Sequence, residues 1–114
     1  MDIKYYLSIF VNRQSSMRII SKKALRDFYI RYPESEIPLE KWYRTAKNAQ
    51  WTCFADIRKS FNSVDSIGNK RYVFNIKGND FRLVVIVQFT TQAVLIRFVG
   101  THEQYDKIKD ISNI

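Results

Sequence analysis

The sequence predicts an α+β fold in which amino-terminal helices pack on a small antiparallel β-sheet. Apolar residues recur at helical spacing between residues 21 and 61, and the spacing changes to two from Lys70 onward. Turn residues at 78–80 and 90–92 divide the second part into strands, which predicts an antiparallel meander over about residues 70–99. Because 46% of its 114 residues are hydrophobic, the chain is expected to form one domain with a true core.

The first helix is expected to begin at the N-cap residue Ser21 and to end before Pro33. The second is expected to begin near Pro38, since proline favours the first helical turn, and a third, shorter helix covers residues 55–61. The apolar side chains of the first two helices fall on one face of each helix, which indicates core packing rather than base stacking. They are Leu25, Phe28, Tyr29 and Tyr32 on the first helix, and Leu39, Trp42, Tyr43, Ala46 and Ala49 on the second.

The meander is expected to run through residues 72–77, 81–89 and 93–99, with the middle strand apolar on both faces as in a central strand. Thr101 followed by Gln104 has the capping-box pattern and predicts a short carboxy-terminal helix. We expect each turn to be closed by its flanking residues, which places Arg82 opposite both Ile76 and Gly100. The closing pairs are then Lys77 with Phe81 and Phe89 with Ala93.

Residues 1–16 are separable from the rest, and we divide the chain into an amino-terminal extension of residues 1–16 and a single domain of residues 17–114. Residues 17–20, Met-Arg-Ile-Ile, are expected to form a short strand. Two interpretations of the extension stay open. Either it lies upstream of a natural start at Met17, or residues 5–11 add a strand to the fold.

The charge of the chain favours a polyanionic partner such as RNA, because 19 Lys and Arg against 11 Asp and Glu give a net charge of +8. The single cysteine, Cys53, is expected to be a buried, inert thiol between Trp51 and Phe54 in a reducing, cytoplasmic protein. One Cys and one His cannot form a zinc site without carboxylates, so no metal or other cofactor is expected. No membrane association is expected, since no apolar run approaches the roughly 20 residues that span a bilayer.

Four residues near the end of the meander have the chemistry that metal-independent RNA cleavage requires. Such cleavage needs a base for the 2′-hydroxyl, an acid for the leaving 5′-oxygen and cations for the charged phosphorane. Histidine has an unperturbed pKa of about 6.5, so His102, with Tyr105, is the candidate for proton transfer. Arg82 and Arg97, both on apolar strands, are the candidate cations. The alternatives are a structural histidine and arginines held in salt bridges.

Several motifs together resemble one protein family. They are residues 17–26, the Trp42–Tyr43 pair, Val-Phe-Asn-Ile-Lys-Gly-Asn at 73–79, Phe-Arg-Leu-Val at 81–84 and Ile-Arg-Phe-Val-Gly-Thr-His-Glu-Gln-Tyr-Asp at 96–106. Over residues 17–111 the chain is similar to the HigB family of toxin–antitoxin toxins, within the RelE-like superfamily of messenger-RNA interferases. The step at 81–84 looks like one whose arginine contacts the scissile phosphate in RelE-like toxins. The junction at 99–102 resembles the place of their catalytic Arg or His.

The resemblance implies a RelE-like fold and cleavage of translated mRNA in the ribosomal A site. It also implies neutralisation by a HigA-type antitoxin with a helix-turn-helix domain. RNA binding is then expected on and beside the first strand of the meander, at Lys70, Arg71, Asn75 and Lys77.

This sequence also departs from the RelE-like pattern. RelE uses lysines on that first strand, where only Lys77 is basic at the equivalent inward positions, and YoeB-like toxins use a glutamate that is absent here. His102 is therefore the leading candidate for the general base, and its role as base or acid stays open. Two alternative functions of the chain stay open, a non-catalytic RNA- or ribosome-binding module and a degenerate toxin retained for antitoxin binding.

Overall fold

The computed structural model describes residues 16–114, so residues 1–15 of the predicted extension, with the alternative strand at 5–11, lie outside the described residues. None of the helices in residues 16–114 is long and apolar enough to cross a bilayer. Short 3₁₀ turns lie at Pro33–Ser35 and Ile111–Asn113. The other elements are β1 (Arg18–Ile20), α1 (Lys22–Arg31), α2 (Glu36–Lys47), α3 (Phe54–Ser60), β2 (Val64–Gly68), β3 (Arg71–Ile76), β4 (Phe81–Gln88), β5 (Ala93–Thr101) and α4 (His102–Asp106).

The predicted helices are confirmed with small shifts at their ends. Ser21 is the N-cap of α1, and Tyr32, directly before Pro33, is its C-cap. The 3₁₀ turn after α1 leads straight into α2, so α2 begins at Glu36 and Pro38 lies within its first turn.

The strands form a five-stranded sheet in the order β1-β5-β4-β3-β2. β3, β4 and β5 are the predicted antiparallel meander, which confirms the α+β fold class. β1 adds to β5 in parallel, and β2 adds to β3 antiparallel. The sequence did not predict β2, because this edge strand is largely exposed and only Val64 and Ile67 are half-buried. It therefore lacks the alternation by which a strand is recognised.

The predicted register between β3 and β4 is wrong by one residue. Arg82 pairs with Asn75, and Ile76 pairs with Phe81. The cause is the loop of residues 77–80, in which Lys77 adopts a left-handed conformation with φ of 52° and leaves the ladder. As a consequence, the amide side chain of Asn75, rather than the apolar Ile76, lies next to Arg82.

The predicted register between β4 and β5 is correct at Arg82, which pairs with Gly100, although the turn differs. Gln88 closes that turn with Ala93, one residue earlier on β4 than predicted. A β-bulge then leaves Arg97 without a partner on β4 and shifts the pairing back by one residue. The bulge therefore cancels the error made at the turn.

The core lies between the helices and one face of the sheet. Alternate residues of β4 point to this face, and their side chains pack against α1 and α2. The helix aromatics predicted for the core are buried at Phe28 and Trp42 and half-buried at Tyr29, Tyr32 and Tyr43. The main members of the cluster are Leu25, Phe28, Leu39, Trp42, Ala46, Phe74, Ile76, Phe81, Leu83, Val85, Val87 and Val94.

The prediction of a buried Cys53 is wrong, because Cys53 is exposed. It is the N-cap residue of α3. The Asp56 carboxylate accepts hydrogen bonds from the Thr52 amide at 2.8 Å and the Thr52 hydroxyl at 2.6 Å, which fixes this turn at the surface. Trp51, in contrast, is buried, so the apolar neighbours of Cys53 in sequence do not cover its thiol.

Candidate active site

Arg82 lies on the sheet face opposite α1 and α2, between Asn75 on β3 and Gly100 on β5. Its Nη1 donates hydrogen bonds to the main-chain oxygens of Asn79 at 3.0 Å and Phe81 at 3.2 Å. No carboxylate of residues 16–114 lies within 4.0 Å of the guanidinium. The salt-bridge alternative is therefore not realised among these residues, and Nε and Nη2 remain available for a phosphate.

Tyr105, on α4, faces Arg82. The guanidinium carbon of Arg82 lies 6.0 Å from the centre of the Tyr105 ring, and the Phe98 ring lies 6.4 Å from it. Within residues 16–114, the Tyr105 hydroxyl has no hydrogen-bond partner. Burial raises the pKa of Tyr105 above its ordinary value of 10.0, against the opposing effect of Arg82. The phenol is therefore protonated at neutral pH and can donate a hydrogen bond or a proton.

The predicted capping box is confirmed and fixes the start of α4. The Thr101 hydroxyl accepts from the Gln104 amide at 3.1 Å, and the Gln104 side chain accepts from the Thr101 amide at 2.9 Å. The His102 amide donates to the Asp80 oxygen at 3.1 Å, which ties α4 to the β3–β4 loop. These bonds hold His102 and Tyr105 at the end of the sheet where Arg82 lies.

His102 is half-exposed and lies between two carboxylates of its own helix. Its Nε2 lies 3.0 Å from Glu103 Oε1, and its Nδ1 lies 3.5 Å from Asp106 Oδ2. Such contacts orient an imidazole ring. They also occupy both nitrogens, so one of the two carboxylates must release the ring before it transfers a proton to or from a substrate.

Gly100 is required by the close packing between α4 and β5, and its substitution gives a first prediction. A Cβ at this position would lie 2.5 Å from Phe98 Cζ and 2.6 Å from Gln104 Oε1. We expect Gly100→Ala to lower the free energy of unfolding by about 1–3 kcal/mol, as overpacked sites do, measured by urea denaturation. Phe98→Leu in the same chain is expected to recover part of the loss. An unchanged midpoint for Gly100→Ala would contradict the packing described.

Two of the predicted RNA-binding residues lie beside Arg82. Asn75 is the cross-strand neighbour of Arg82, and its side-chain Nδ2 donates a short hydrogen bond to the Ser63 hydroxyl. Lys77 lies in the β3–β4 loop, where its ammonium is 3.3 Å from the Asp80 carboxylate and half-exposed. Both side chains therefore border the end of the sheet that carries Arg82 and His102.

The structure does not bring the other three predicted residues to this cluster. Lys70 lies in the β2–β3 turn, about 16 Å along the strand from Asn75. Arg71 pairs with Ile86 and donates from Nη2 to the main-chain oxygen of Ile114 at 2.7 Å. Arg97, at the bulge, donates to the same oxygen at 3.1 Å. Arg71 and Arg97 therefore hold the segment that follows α4 rather than the space in front of Arg82.

Sequence reasoning missed several residues that define the site. Asp106 is four residues after His102 on α4, and this i, i+4 spacing was a usable signal for the contact. Asp65, whose charge raises the pKa of Tyr105, lies on the strand that the sequence did not predict. The carbonyls of Asn79 and Asp80 act through the main chain, for which side-chain patterns give no signal.

The comparison with known families decides the classification of the chain. The profile of a family described as HigB_toxin, RelE-like toxic component of a toxin-antitoxin system, matches residues 35–108. The chain belongs to the HigB toxin family. The matched residues run from the end of the first 3₁₀ turn through α4 and include Arg82, His102 and Tyr105. The family resemblance expected from the sequence is thereby confirmed.

Individual relatives of this HigB family member carry consistent names. This chain is 35% identical over 92 residues to the mRNA interferase toxin HigB of Escherichia coli strain K12. The aligned residues are 79% of this chain and 88% of the relative. The same identity and coverage hold for the mRNA interferase HigB of Shigella flexneri. It is 28% identical over 94 residues to the mRNA interferase HigB of E. coli O6:H1, covering 81% of this chain and 91% of the relative.

Proposed function

We propose that this HigB family toxin is a cytoplasmic endoribonuclease that cleaves translated mRNA in the ribosomal A site and is neutralised by a HigA-type helix-turn-helix antitoxin. The names of its relatives, all mRNA interferases, support the substrate. The observation that carries the proposal is the guanidinium of Arg82, free of carboxylates among residues 16–114, facing the protonated Tyr105 on the helix that begins with His102. A net charge of +8 suits an RNA partner.

The proposed reaction is an internal transesterification. The 2′-oxygen of a nucleotide forms a bond to the adjacent phosphorus while the bond from phosphorus to the 5′-oxygen breaks. The products carry a 2′,3′-cyclic phosphate and a 5′-hydroxyl. The proton of the 2′-hydroxyl passes to a base, and the leaving 5′-oxygen receives a proton from an acid.

Each cluster residue has a role that its surroundings support. Arg82 donates from Nε and Nη2 to the phosphate oxygens, where negative charge develops. Tyr105 is a donor, because burial keeps its phenol protonated, and it is suited to the phosphate or the leaving oxygen. His102 acts once Glu103 or Asp106 releases its ring. It then either accepts the proton of the 2′-hydroxyl as a base or donates a proton to the 5′-oxygen as an acid. Asn75 and Lys77 bind the RNA on either side of the cut.

Tyr105→Phe gives a second prediction, because it removes only the hydroxyl. We expect the rate of mRNA cleavage to fall about 10- to 100-fold, the effect of losing one hydrogen bond to a charged group. We expect the unfolding midpoint to stay the same, since the ring still packs on Phe98 and the hydroxyl has no partner within residues 16–114. A cleavage rate equal to that of the unsubstituted chain would remove Tyr105 from the site.

The contacts of His102 favour a second candidate function, a non-catalytic RNA- or ribosome-binding module. A histidine held between Glu103 and Asp106 suits a structural role as well as a catalytic one. Mapping the ends of a translated mRNA separates the two functions, because a binding module leaves the RNA intact. Cut RNA that carries a 5′-hydroxyl supports the proposed nuclease, whereas a 5′-phosphate, the product of attack by a metal-activated water, argues for metal chemistry. A degenerate toxin would bind its antitoxin without arresting growth.

A further inference from the structure

Two arginines on the sheet face opposite α1 and α2 hold residues 111–114, which we call the covering segment. Arg71 donates to the main-chain oxygen of Ile114 from Nε at 3.2 Å and from Nη2 at 2.7 Å. Arg97 donates to the same oxygen from Nε at 3.1 Å. Two guanidinium groups therefore converge on one oxygen, and forks of N–H donors of this kind are how arginines bind the oxygens of a phosphate.

This pair of arginines has donors to spare. Nη1 of Arg71 donates to the main-chain oxygen of Asn69 at 2.8 Å, but Nη1 and Nη2 of the exposed Arg97 have no hydrogen-bond partner among residues 16–114. No Asp or Glu carboxylate of these residues lies within 4.0 Å of either guanidinium. The two non-bridging oxygens of a phosphodiester can use both the donors now bonded to Ile114 and those left open on Arg97.

The arginine pair lies on the same face of the sheet as Arg82. Tyr72 and Leu83 belong to the core beneath the helices, so their strand neighbours Arg71 and Arg82 face the other side. Arg71 pairs with Ile86, which is four residues, about 13 Å, from Arg82 along β4. That distance is the axial rise of about four nucleotides in a stacked strand. An RNA strand that has one phosphate at Arg82 and follows β4 therefore reaches the arginine pair.

The β-bulge in β5 gives Arg97 its direction. Ile96 packs against the core, and the Phe98 ring contacts the Tyr105 ring that faces Arg82. Arg97 is the extra residue between Ile96 and Phe98, and bulges beside functional sites re-aim side chains in this way. The bulge therefore adds a second cation to the face that carries the candidate active site.

The covering segment is held by polar contacts at the surface. Asn69 Nδ2 donates to the main-chain oxygen of Ser112 at 3.1 Å and to Asn113 Oδ1 at 2.9 Å. None of the residues 107–114 is buried. Segments with few buried apolar contacts and with exposed hydrogen bonds open locally at a small cost in free energy. An anion can therefore displace the oxygen of Ile114 while the rest of the domain stays folded.

We propose that Arg71 and Arg97 form a second phosphate site for the RNA strand bound at Arg82, an inference that rests on the proposed function. In the free chain the Ile114 oxygen occupies this site, and an RNA phosphate takes its place as the covering segment moves aside. The phosphate gains by using the donors that Ile114 leaves open. The site adds affinity and no base preference, because phosphate contacts carry no sequence information.

Loss of one arginine tests the site with a probe that cannot be cut, a short single-stranded oligoribonucleotide with 2′-O-methyl groups. We expect Arg97→Gln to weaken its binding about tenfold, measured by fluorescence anisotropy, as loss of hydrogen bonds to a charged group does. The slope of the logarithm of affinity against the logarithm of salt concentration is expected to fall by about 0.7. Arg31→Gln, which removes an equal charge from an exposed position on α1, is expected to change neither.

Asn69→Gly tests the exchange, because it releases the covering segment and keeps both arginines. Asn69 has a φ of 53°, which glycine adopts readily, so the turn is expected to keep its shape. We expect this variant to bind the probe about 2- to 10-fold more tightly, the factor that corresponds to one neutral hydrogen bond lost by the competing segment. It decides the question by itself if Arg97→Gln lowers the unfolding midpoint, and unchanged binding would then overturn the inference.

The outcomes separate this site from the proposed nuclease. Weaker binding by Arg97→Gln and tighter binding by Asn69→Gly, in a chain that cuts no mRNA, support the site and defeat the nuclease. Normal cleavage with unchanged affinity and salt slope in both variants overturns the site and leaves the nuclease. Loss of antitoxin binding by Arg97→Gln at normal RNA affinity assigns the arginines to a protein partner and also overturns the inference.

Discussion

Arg82→Ala is expected to lower the rate of mRNA cleavage by about 10²–10³-fold, the usual effect of removing one preorganised donor to a transition-state oxyanion. The physical reason is that, among residues 16–114, no other guanidinium or ammonium lies over the Tyr105 ring, so none takes the place of the Nε and Nη2 donors of Arg82. The rate is measured by primer extension on an mRNA translated in vitro. Expression of the unsubstituted chain is expected to arrest growth, and expression of the variant is not.

Two further variants make the Arg82 prediction specific. Arg26→Ala removes an equal charge from an exposed position on α1 and is expected to leave cleavage unchanged. Arg82→Lys keeps the charge and loses the planar fork, so its rate is expected to lie between those of the unsubstituted chain and Arg82→Ala. A folded Arg82→Ala protein that cleaves mRNA and arrests growth normally would contradict the assignment of this site.

His102→Ala is expected to lower the cleavage rate by about 10²–10⁴-fold, the range for loss of a general acid or base. The reason is that residues 16–114 contain no second imidazole, and Tyr105 stays protonated across the neutral range. The unfolding midpoint is expected to change little, since the His102 side chain is 44% exposed and contacts carboxylates of its own helix.

Chemical rescue separates a proton-transfer role of His102 from an orienting one. Added imidazole is expected to restore part of the activity of His102→Ala, because it can enter the space that the side chain leaves. It is not expected to restore Arg82→Ala. A His102→Ala protein with normal cleavage would show that His102 is a structural residue and would leave Arg82 and Tyr105 as the basis of the site.

Most of the fold follows from local patterns in the sequence. The capping box at Thr101, the helix boundary at Pro33 and the apolar run of β4 each have a direct physical cause, and each was predicted. The register next to Arg82 was not fully predictable, because it depends on a left-handed Lys77 and on a bulge at Arg97. Neither residue type has a preference that indicates such a conformation.

The candidate site was predictable in part. The sequence indicated that Arg82, His102 and Tyr105 lie at one end of the sheet, and the structure places them there. It also grouped Arg97 with them, whereas the bulge and the segment ending at Ile114 give this side chain another partner. The partners of a long, flexible side chain depend on tertiary contacts that no local pattern specifies.

A single substrate substitution tests the central claim most directly. An mRNA translated in vitro is prepared with a 2′-deoxynucleotide at the position before the mapped cut, beside an all-ribose control. The account predicts that the chain cuts only the control, only in the presence of ribosomes, and leaves a 2′,3′-cyclic phosphate and a 5′-hydroxyl. Cleavage of the 2′-deoxy substrate at the same position, or cleavage of free mRNA at an equal rate, would contradict it.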